Sequence, residues 1–503
     1  MKYLITAVLL LCSPVWARTF YVSLTDGNDI HCTGSGRTPY LPGGTHSCPW
    51  KTIANVNRRL FSPGDSILFK KGETWGEGLV PPSSGTKDRP ITIGAYGSGA
   101  QPTITGADLM VGWSLYTGAI YRAFLKSPPR RVWNGDTELK RGSRPELLTK
   151  NQFYWESNYL YIRTGYPPDG QKIEVTVRAY PLYVRRSFLV IDGLHLTKAN
   201  EMNIISATED NDHVTIQNCT IDHAGLSGIF LYGDTATIAH WTFLHNTIAH
   251  NGSTIIKGIA QDHGIYVSHS SSNVLEGNVW DDNLGFGIQL QDDSNDNIVR
   301  YNYFHANRAG ALTIWDNTGR SFPTRNSVFS NVMNGDTVGI MIGGSASKTS
   351  NIIVNNTIYG YISAGLSIHD NANFGIFKNN ILFSPNGGIY ALYDNSGSAQ
   401  MISDHNIVGP TTSHVAYWHG TKYRTLSGFV AATGLDSHSL SADPKLSNPS
   451  IADFTLLPNS PAVHSGFALG SPFNVGLDPR TTLPWRVLHR NSWDIGAFVY
   501  LPQ

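Results

Sequence analysis

Between about residue 181 and residue 410 the chain is built of short stretches in which hydrophobic and polar side chains alternate, each stopped by Gly, Asn or Asp. Period-two alternation marks a strand with one buried face, and the stops are turn residues. The stretches repeat. One line runs SGIFL (Ser227 to Leu231), HGIYV (His263 to Val267), FGIQL (Phe286 to Leu290), GALTI (Gly310 to Ile314), VGIMI (Val338 to Ile342), AGLSI (Ala364 to Ile368) and GGIYA (Gly387 to Ala391). A second runs VTIQNCTI, TFLHNTI, VLEGNVW, IVRYNYF, SVFSNVM, IIVNNTI and GIFKNNI. Glycines of the first line stand 23 residues apart at Gly264 and Gly287 and again at Gly365 and Gly388, with steps of 26 and 28 elsewhere. One step, Gly228 to Gly264, is 36 residues, which predicts an extra loop leaving the coil near Asn251 to Asp262. The same strand recurring in every unit excludes a hairpin sandwich, and a propeller blade takes about 40 residues. The expected fold is all-β: a right-handed parallel β-helix with Asn stacked at one inward turn.

Outside residues 181–410 the pattern changes. Residues 18–110 are read as an N-terminal cap and first coils, with helical spacing around Thr52 to Leu60, within KTIANVNRRL (Lys51 to Leu60). Residues 111–180 lose the repeat and read as inserted β-hairpins. Residues 411–503 lose it again and are expected to close the far end. Capped solenoids are soluble units, so a monomer is expected.

Composition narrows the class. Lys+Arg and Asp+Glu are balanced at 37 each, and charged residues make up 15% of 503, which excludes the basic footprint of a nucleic-acid binder. Lys2, an apolar run from Tyr3 to Leu11 and a small residue at Ala17 read as a signal peptide over residues 1–17, so a secreted or periplasmic protein is expected, without a membrane span. Cys32 and Cys48 flank a Gly/Pro-rich loop and are expected to form a disulfide, with Cys219 a buried free thiol. Basic residues concentrate in the insertion: Arg122, Lys126, Arg130, Arg131, Lys140, Arg141, Arg144 and Lys150 stand against Asp136, Glu138 and Glu146. They form either a solvated hairpin or a wall attracting an anionic glycan.

The flanks carry FYVSLTDGND, PWKTIANVN, PGDSILFKKGETW and SSGTKDRPITIGAYGSG near the start, and DPKL, FTLLPNSPAV and WDIGAF near the end. This ordered set resembles the secreted right-handed β-helix proteins of the pectate-lyase-like superfamily. The resemblance implies an enzyme acting on polysaccharides: a lyase, a hydrolase or an epimerase. The Asn-Thr-Asp and Gly-His-Gly signatures of polygalacturonase-like hydrolases and the Asp-Pro-His of mannuronan epimerases are absent. Gln291-Asp292-Asp293 follows its strand instead of preceding one.

Aligning Gly228, Gly264, Gly287, Ala311, Gly339, Gly365 and Gly388 gives two outward columns: Phe230, Tyr266, Gln289, Thr313, Met341, Ser367, Tyr390, and Tyr232, Ser268, Gln291, Trp315, Gly343, His369, Leu392. Tyr, Gln and Trp facing outward suit sugar binding. Eight of 18 histidines fall between His213 and His305. From these, His250, His263, Asp281, Asp282 and His305 are read as lining one cleft, with Lys257 on the extra loop and room for a sugar at Gly285 and Ala306. A lyase needs a base, a charge neutralising the uronate and an acid. The expected catalytic set is His263, His305, His250, Asp281, Asp282 and Lys257. The expected substrate-binding set is Tyr266, Gln289, Gln291, Trp315, Arg308 and His223. Asp281 and Asp282 are alternatively Ca²⁺ ligands. A lyase on uronate-containing polysaccharide is placed ahead of a hydrolase with paired carboxyls among Asp281, Asp282, Asp292 and Asp316. A non-catalytic glycan-binding solenoid is the third reading. Asp292-Asp293, Asp316-Asn317, Asp370-Asn371 and Asp394-Asn395 recur at one strand end, which reads as turn chemistry before catalysis.

Overall fold

The computed structural model describes residues 16–502 apart from 254, 257, 258, 261, 318, 320, 345–349, 371, 373, 374, 386, 398, 399, 410–413, 481–485, 490 and 491, and the side chains of 255, 256, 259 and 260. Lys257 therefore lies outside the described residues. Each coil contributes one strand to each of three long sheets. The first has 12 strands, from Thr19–Val22 to Ile402–Asp404; the second has 11, from Thr74–Trp75 to Ile407–Val408; the third has 11, from Leu182–Tyr183 to Thr421–Tyr423. Equivalent residues pair in parallel from coil to coil, so every second side chain points into one continuous core. In the third sheet that inward column is Ile229, Ile265, Ile288, Leu312, Ile340, Leu366 and Leu392, all buried. Branched aliphatic chains fit this stack because each packs on its copy about 4.8 Å away.

The register corrects the last step of the repeat. Leu366 pairs with Leu392 and Ser367 with Tyr393, so Tyr393, not Tyr390, continues the outward column. The added residues sit in the preceding turn, where Gly388 lies so close to Tyr361 that a Cβ would collide with its ring.

Asparagine stacks at three turns, not one. Asn246, Asn278, Asn302, Asn331, Asn356, Asn380 and Asn406 form the longest ladder, each Nδ2 donating to the next Oδ1 at 2.9–3.3 Å. Asn273, Asn297, Asn326 and Asn351 form a second. Asn251, Asn283 and Asn307 form a third, which ends on Asp336 Oδ1 at 2.9 Å. A buried amide supplies both a donor and an acceptor, so it can satisfy the coil on either side.

The insertion leaves after Thr103–Thr105 and the third sheet begins at Leu182–Tyr183. It folds into a four-stranded and a five-stranded sheet around its own core of Val132, Leu139, Phe153, Leu160, Ile162, Ile173 and Val175. It occupies the turn between the second and third sheets, the same turn from which the 251–262 loop departs. Both rise on one rim of the third sheet.

The start is held by the expected cap, while the far end adds a feature the sequence did not show. The helix Ile53–Asn57, capped by Thr52, covers the start. At the other end the helix Leu426–Thr433 packs Phe429 on Trp418. The chain then runs back along the outside of the coils: Phe467, Phe473 and Val475 accept from Asn379, Asn355 and Ser330, and Arg486 pairs with Glu276. The described residues from 414 onward thus add a last coil strand, a cap and a strap. Cys32 and Cys48 form the disulfide, with Cα atoms 5.0 Å apart. Cys219 is a buried free thiol, pushed up to about 12 by burial. Among the described residues no helix is long and apolar enough to cross a membrane.

Candidate active site

The expected cleft separates into three places. Six of the eight clustered histidines, His213, His223, His240, His245, His250 and His269, adopt φ between 51° and 57° at turns. That left-handed region favours Asn, Asp and His among residues with a Cβ, so backbone geometry explains most of the histidine enrichment.

The first place is the turn before the third sheet. His250 Nδ1 lies 3.1 Å from Asp282 Oδ2, and both are exposed. With His223, Leu284, Arg308, Arg131 and Glu138 they line an open pocket of about 350 Å³. Arg131 is a fixed element of it, donating to Glu138 at 2.5 and 2.7 Å and to the carbonyls of Ala224 and His250. Arg308 is exposed and has no ion pair among the described residues. An adjoining cleft of about 630 Å³ holds Arg130, Lys140 and Arg141. The basic insertion therefore does form a wall on this rim.

The second place is the outer face of the second sheet, where Asp281 and His305 are direct neighbours in register and His305 Nδ1 meets Asp281 Oδ1 at 2.7 Å. Asp281 and Asp282, though adjacent in sequence, serve different imidazoles. Among the described residues neither joins a convergent group of three ligands, and Ca²⁺ takes six to eight oxygens.

The third place is the outer face of the third sheet. His263 is 5% exposed and its Nδ1 accepts the Phe286 amide hydrogen at 3.0 Å. Burial lowers its pKa to about 3, so it is neutral with the proton on Nε2. That proton goes to the side chain of Gln289. Gln289 Nε2 donates to Gln291 Oε1, and Gln291 Nε2 donates to Asp292 Oδ2 at 3.3 Å. The Asp316 carboxyl stands beside Asp292 one coil on and acts on its titration. The backbone amide at one end fixes the direction of every bond in this chain. His263 has no free lone pair and is therefore a donor in the chain, not a proton-abstracting base. Nor is Gly285 room for a sugar, because a Cβ there would collide with His263 Nδ1 and the Asp262 carbonyl.

Asp292 and Asp316 follow the paired residues Gln291 and Trp315, at the same strand end of successive coils. They are 6% and 4% exposed. Burial and then the neighbouring Asp316 carboxyl raise the Asp292 pKa, against the Asn317 amide and Gln291, which lower it. Turn chemistry is present too: Asp292 Oδ1 accepts the Asn317 amide and Asp316 Oδ1 the Gly319 amide, both at 2.8 Å. Tyr266 is half-buried, and burial followed by the charge of Asp292 pushes its phenol up to about 12. Aromatic rings continue along this face. Trp315 lies 6.0 Å from His369, His369 5.7 Å from Tyr393, and Tyr393 5.3 Å from Tyr417. Gly343 lets the Trp315 ring lie on the backbone, where a Cβ would collide with it. The sequence showed Asp292 and Asp316 as turn residues; only their 24-residue spacing signalled that they would stack.

These features define a right-handed parallel β-helix with a polar, aromatic face on one sheet and a basic rim beside it. Residues 183–349 match the family described as the right handed beta helix region. Similar solved structures include XylC, determined in complex with xylose, at 13% identity over 85% of this chain and 87% of that one, TM-score 0.56. Pectate lyase Pel9A is 14% identical over 97% of both chains, TM-score 0.46. An alginate lyase from Paenibacillus sp. is 14% identical over 71% of this chain and 97% of its own, TM-score 0.43. At these identities the likeness is one of fold. No curated protein matches the sequence significantly.

Proposed function

We propose that this protein is an exported glycoside hydrolase acting on an anionic polysaccharide, with Asp292 and Asp316 as its catalytic carboxyls. The observation that supports this reading is that two buried carboxyls stand at the same strand end of successive coils, with Asp316 raising the Asp292 pKa. Burial beside a second carboxyl favours the protonated form of Asp292, so the pair can offer an acid and a carboxylate together. Glycoside hydrolysis needs both: the acid protonates the leaving oxygen, and the carboxylate attacks or stabilises the anomeric carbon. Trp315, His369 and Tyr393 supply surfaces on which pyranose rings stack. Arg308, Lys140 and Arg141 attract acidic groups of the chain from the rim. Action as a monomer belongs to the same reading.

A second reading, β-elimination on a uronate at the rim, is favoured by Arg308, which shares a pocket with the His250–Asp282 pair and is free to neutralise a carboxylate. Incubation with pectate, alginate, glycosaminoglycans and bacterial exopolysaccharides separates the two. New reducing ends without ultraviolet absorbance, lost in Asp292→Asn and Asp316→Asn, support hydrolysis. Ultraviolet absorbance of an unsaturated uronate, unaffected by those substitutions, refutes it in favour of the lyase.

A further inference from the structure

The C-terminal segment that follows the helix Leu426–Thr433 returns to the last coil and places His438 beside Asp404 and His405. Asp404 ends a first-sheet strand, and His405 follows it in the left-handed turn conformation, φ 54°. The backbone amide of His438 donates to Asp404 Oδ1 at 2.8 Å, which locks the carboxylate and turns Oδ2 toward both imidazoles. His438 Nδ1 stands 2.7 Å from Oδ2 and His405 Nδ1 3.2 Å from it, and the two rings stack with centroids 5.0 Å apart. The three atoms lie within 4.8 Å of one another. His405 Nδ1 is buried and makes no hydrogen bond; its contact is with Asp404 Oδ2 inside the cluster. Ser437 Oγ also touches His438 Nδ1, at 3.2 Å. Lys378 neighbours Asp404 in register, but its ammonium sits 4.0 Å from the Phe467 ring centre.

We propose that Asp404, His405 and His438 bind a divalent transition-metal ion, Zn²⁺ or a borderline relative, which staples the C-terminal segment to the last coil. Two imidazole nitrogens and a carboxylate oxygen are a common zinc set, with bonds of about 2.0–2.2 Å that place tetrahedral ligands about 3.3 Å apart. The two nitrogen–carboxylate separations, 2.7 and 3.2 Å, are already close to that spacing. His438 is 68% exposed, so the remaining positions stay open to water. The carboxylate is already oriented by the His438 amide, the kind of outer contact that metal ligands use. The site is independent of the carboxyl pair on the third sheet. A similar group, Asp212, His213 and His240, is more exposed and has no buried side-chain atom without a hydrogen bond.

Isothermal titration of the chelator-treated protein, prepared without a histidine tag, with zinc chloride tests this. The expected result is one saturable site together with a raised thermal midpoint. His438→Gln, an exposed position that leaves the fold intact, should weaken binding at least tenfold and abolish the thermal shift, while His240→Gln should change neither. Absence of saturable binding overturns the proposal. So does loss of binding in His240→Gln with retention in His438→Gln, which would move the ion to the other group.

Discussion

Phe286 donates its amide hydrogen to Nδ1 of His263 at 3.0 Å, and this one bond sets the polarity of a side-chain chain that ends on Asp292. A backbone N–H can only donate, so the imidazole must accept there and donate from Nε2. Gln289 and Gln291 are then oriented without choice, and the last donor points at Asp292 Oδ2. Burial and Asp316 push the Asp292 pKa up; this chain and the Asn317 amide pull it down. The balance poises a carboxyl for acid–base work.

Asp292→Asn and Asp316→Asn should each lower kcat on the cleaved glycan by at least about a hundredfold, the usual effect of losing an acid or base. Steady-state kinetics, with circular dichroism as the folding control, checks this. Equal loss of structure in both variants would assign the pair to the turns alone.

His263→Ala leaves the Phe286 amide and Gln289 unpaired in a buried place, at a cost of about 1–3 kcal/mol in stability for each unsatisfied group. It should also lower kcat, because Gln291 loses its fixed orientation. His305→Ala, on the exposed face of the second sheet, should change kcat less than about threefold. Denaturant melts and kinetics on both variants would show whether the third-sheet face or the second-sheet pair carries the chemistry.

Arg308→Ala should raise KM for an anionic glycan severalfold with little change in kcat, since Arg308 attracts the chain without touching the reacting bond. The effect should fade as salt rises, because an exposed charge is screened over about 10 Å at 0.1 M. An unchanged KM at low salt would remove the rim from substrate recognition.

Asp336 ends the third asparagine ladder, and burial raises its pKa to about 7. Protonated, it resembles the Asn it replaces, with Oδ1 accepting from Asn307. The folded pKa lies above the unfolded one, so its protonated form is held by the fold in acid. That contribution is lost as pH rises from about 4 through 7. Asp336→Asn should therefore be more stable than the parent at pH 8, by roughly 2 kcal/mol or more, and indistinguishable near pH 4. Chemical denaturation at the two pH values reads the difference directly.

Alternation, repeat length and the recurrent Asn were enough to specify a parallel β-helix, because each coil pairs with its copy and identical residues satisfy one another. The loop near residue 251, the insertion and its basic character were legible for the same reason: each breaks a period. What the repeat could not convey was function. Eight neighbouring histidines looked like a site, yet six occupy left-handed turns, a backbone requirement with no periodic signature of its own. Asp281 and Asp282, adjacent in sequence, point to different partners because one ends a strand and the other turns the corner. Asp292 and Asp316 read as turn residues, and so they are. Only stacking one coil on the next, under a buried His–Gln–Gln chain, sets one carboxyl beside the other and raises the Asp292 pKa. The extended chain determined which residues repeat. The tertiary structure decided which of them meet, because contact, burial and hydrogen-bond direction across coils exist only once the coils are closed.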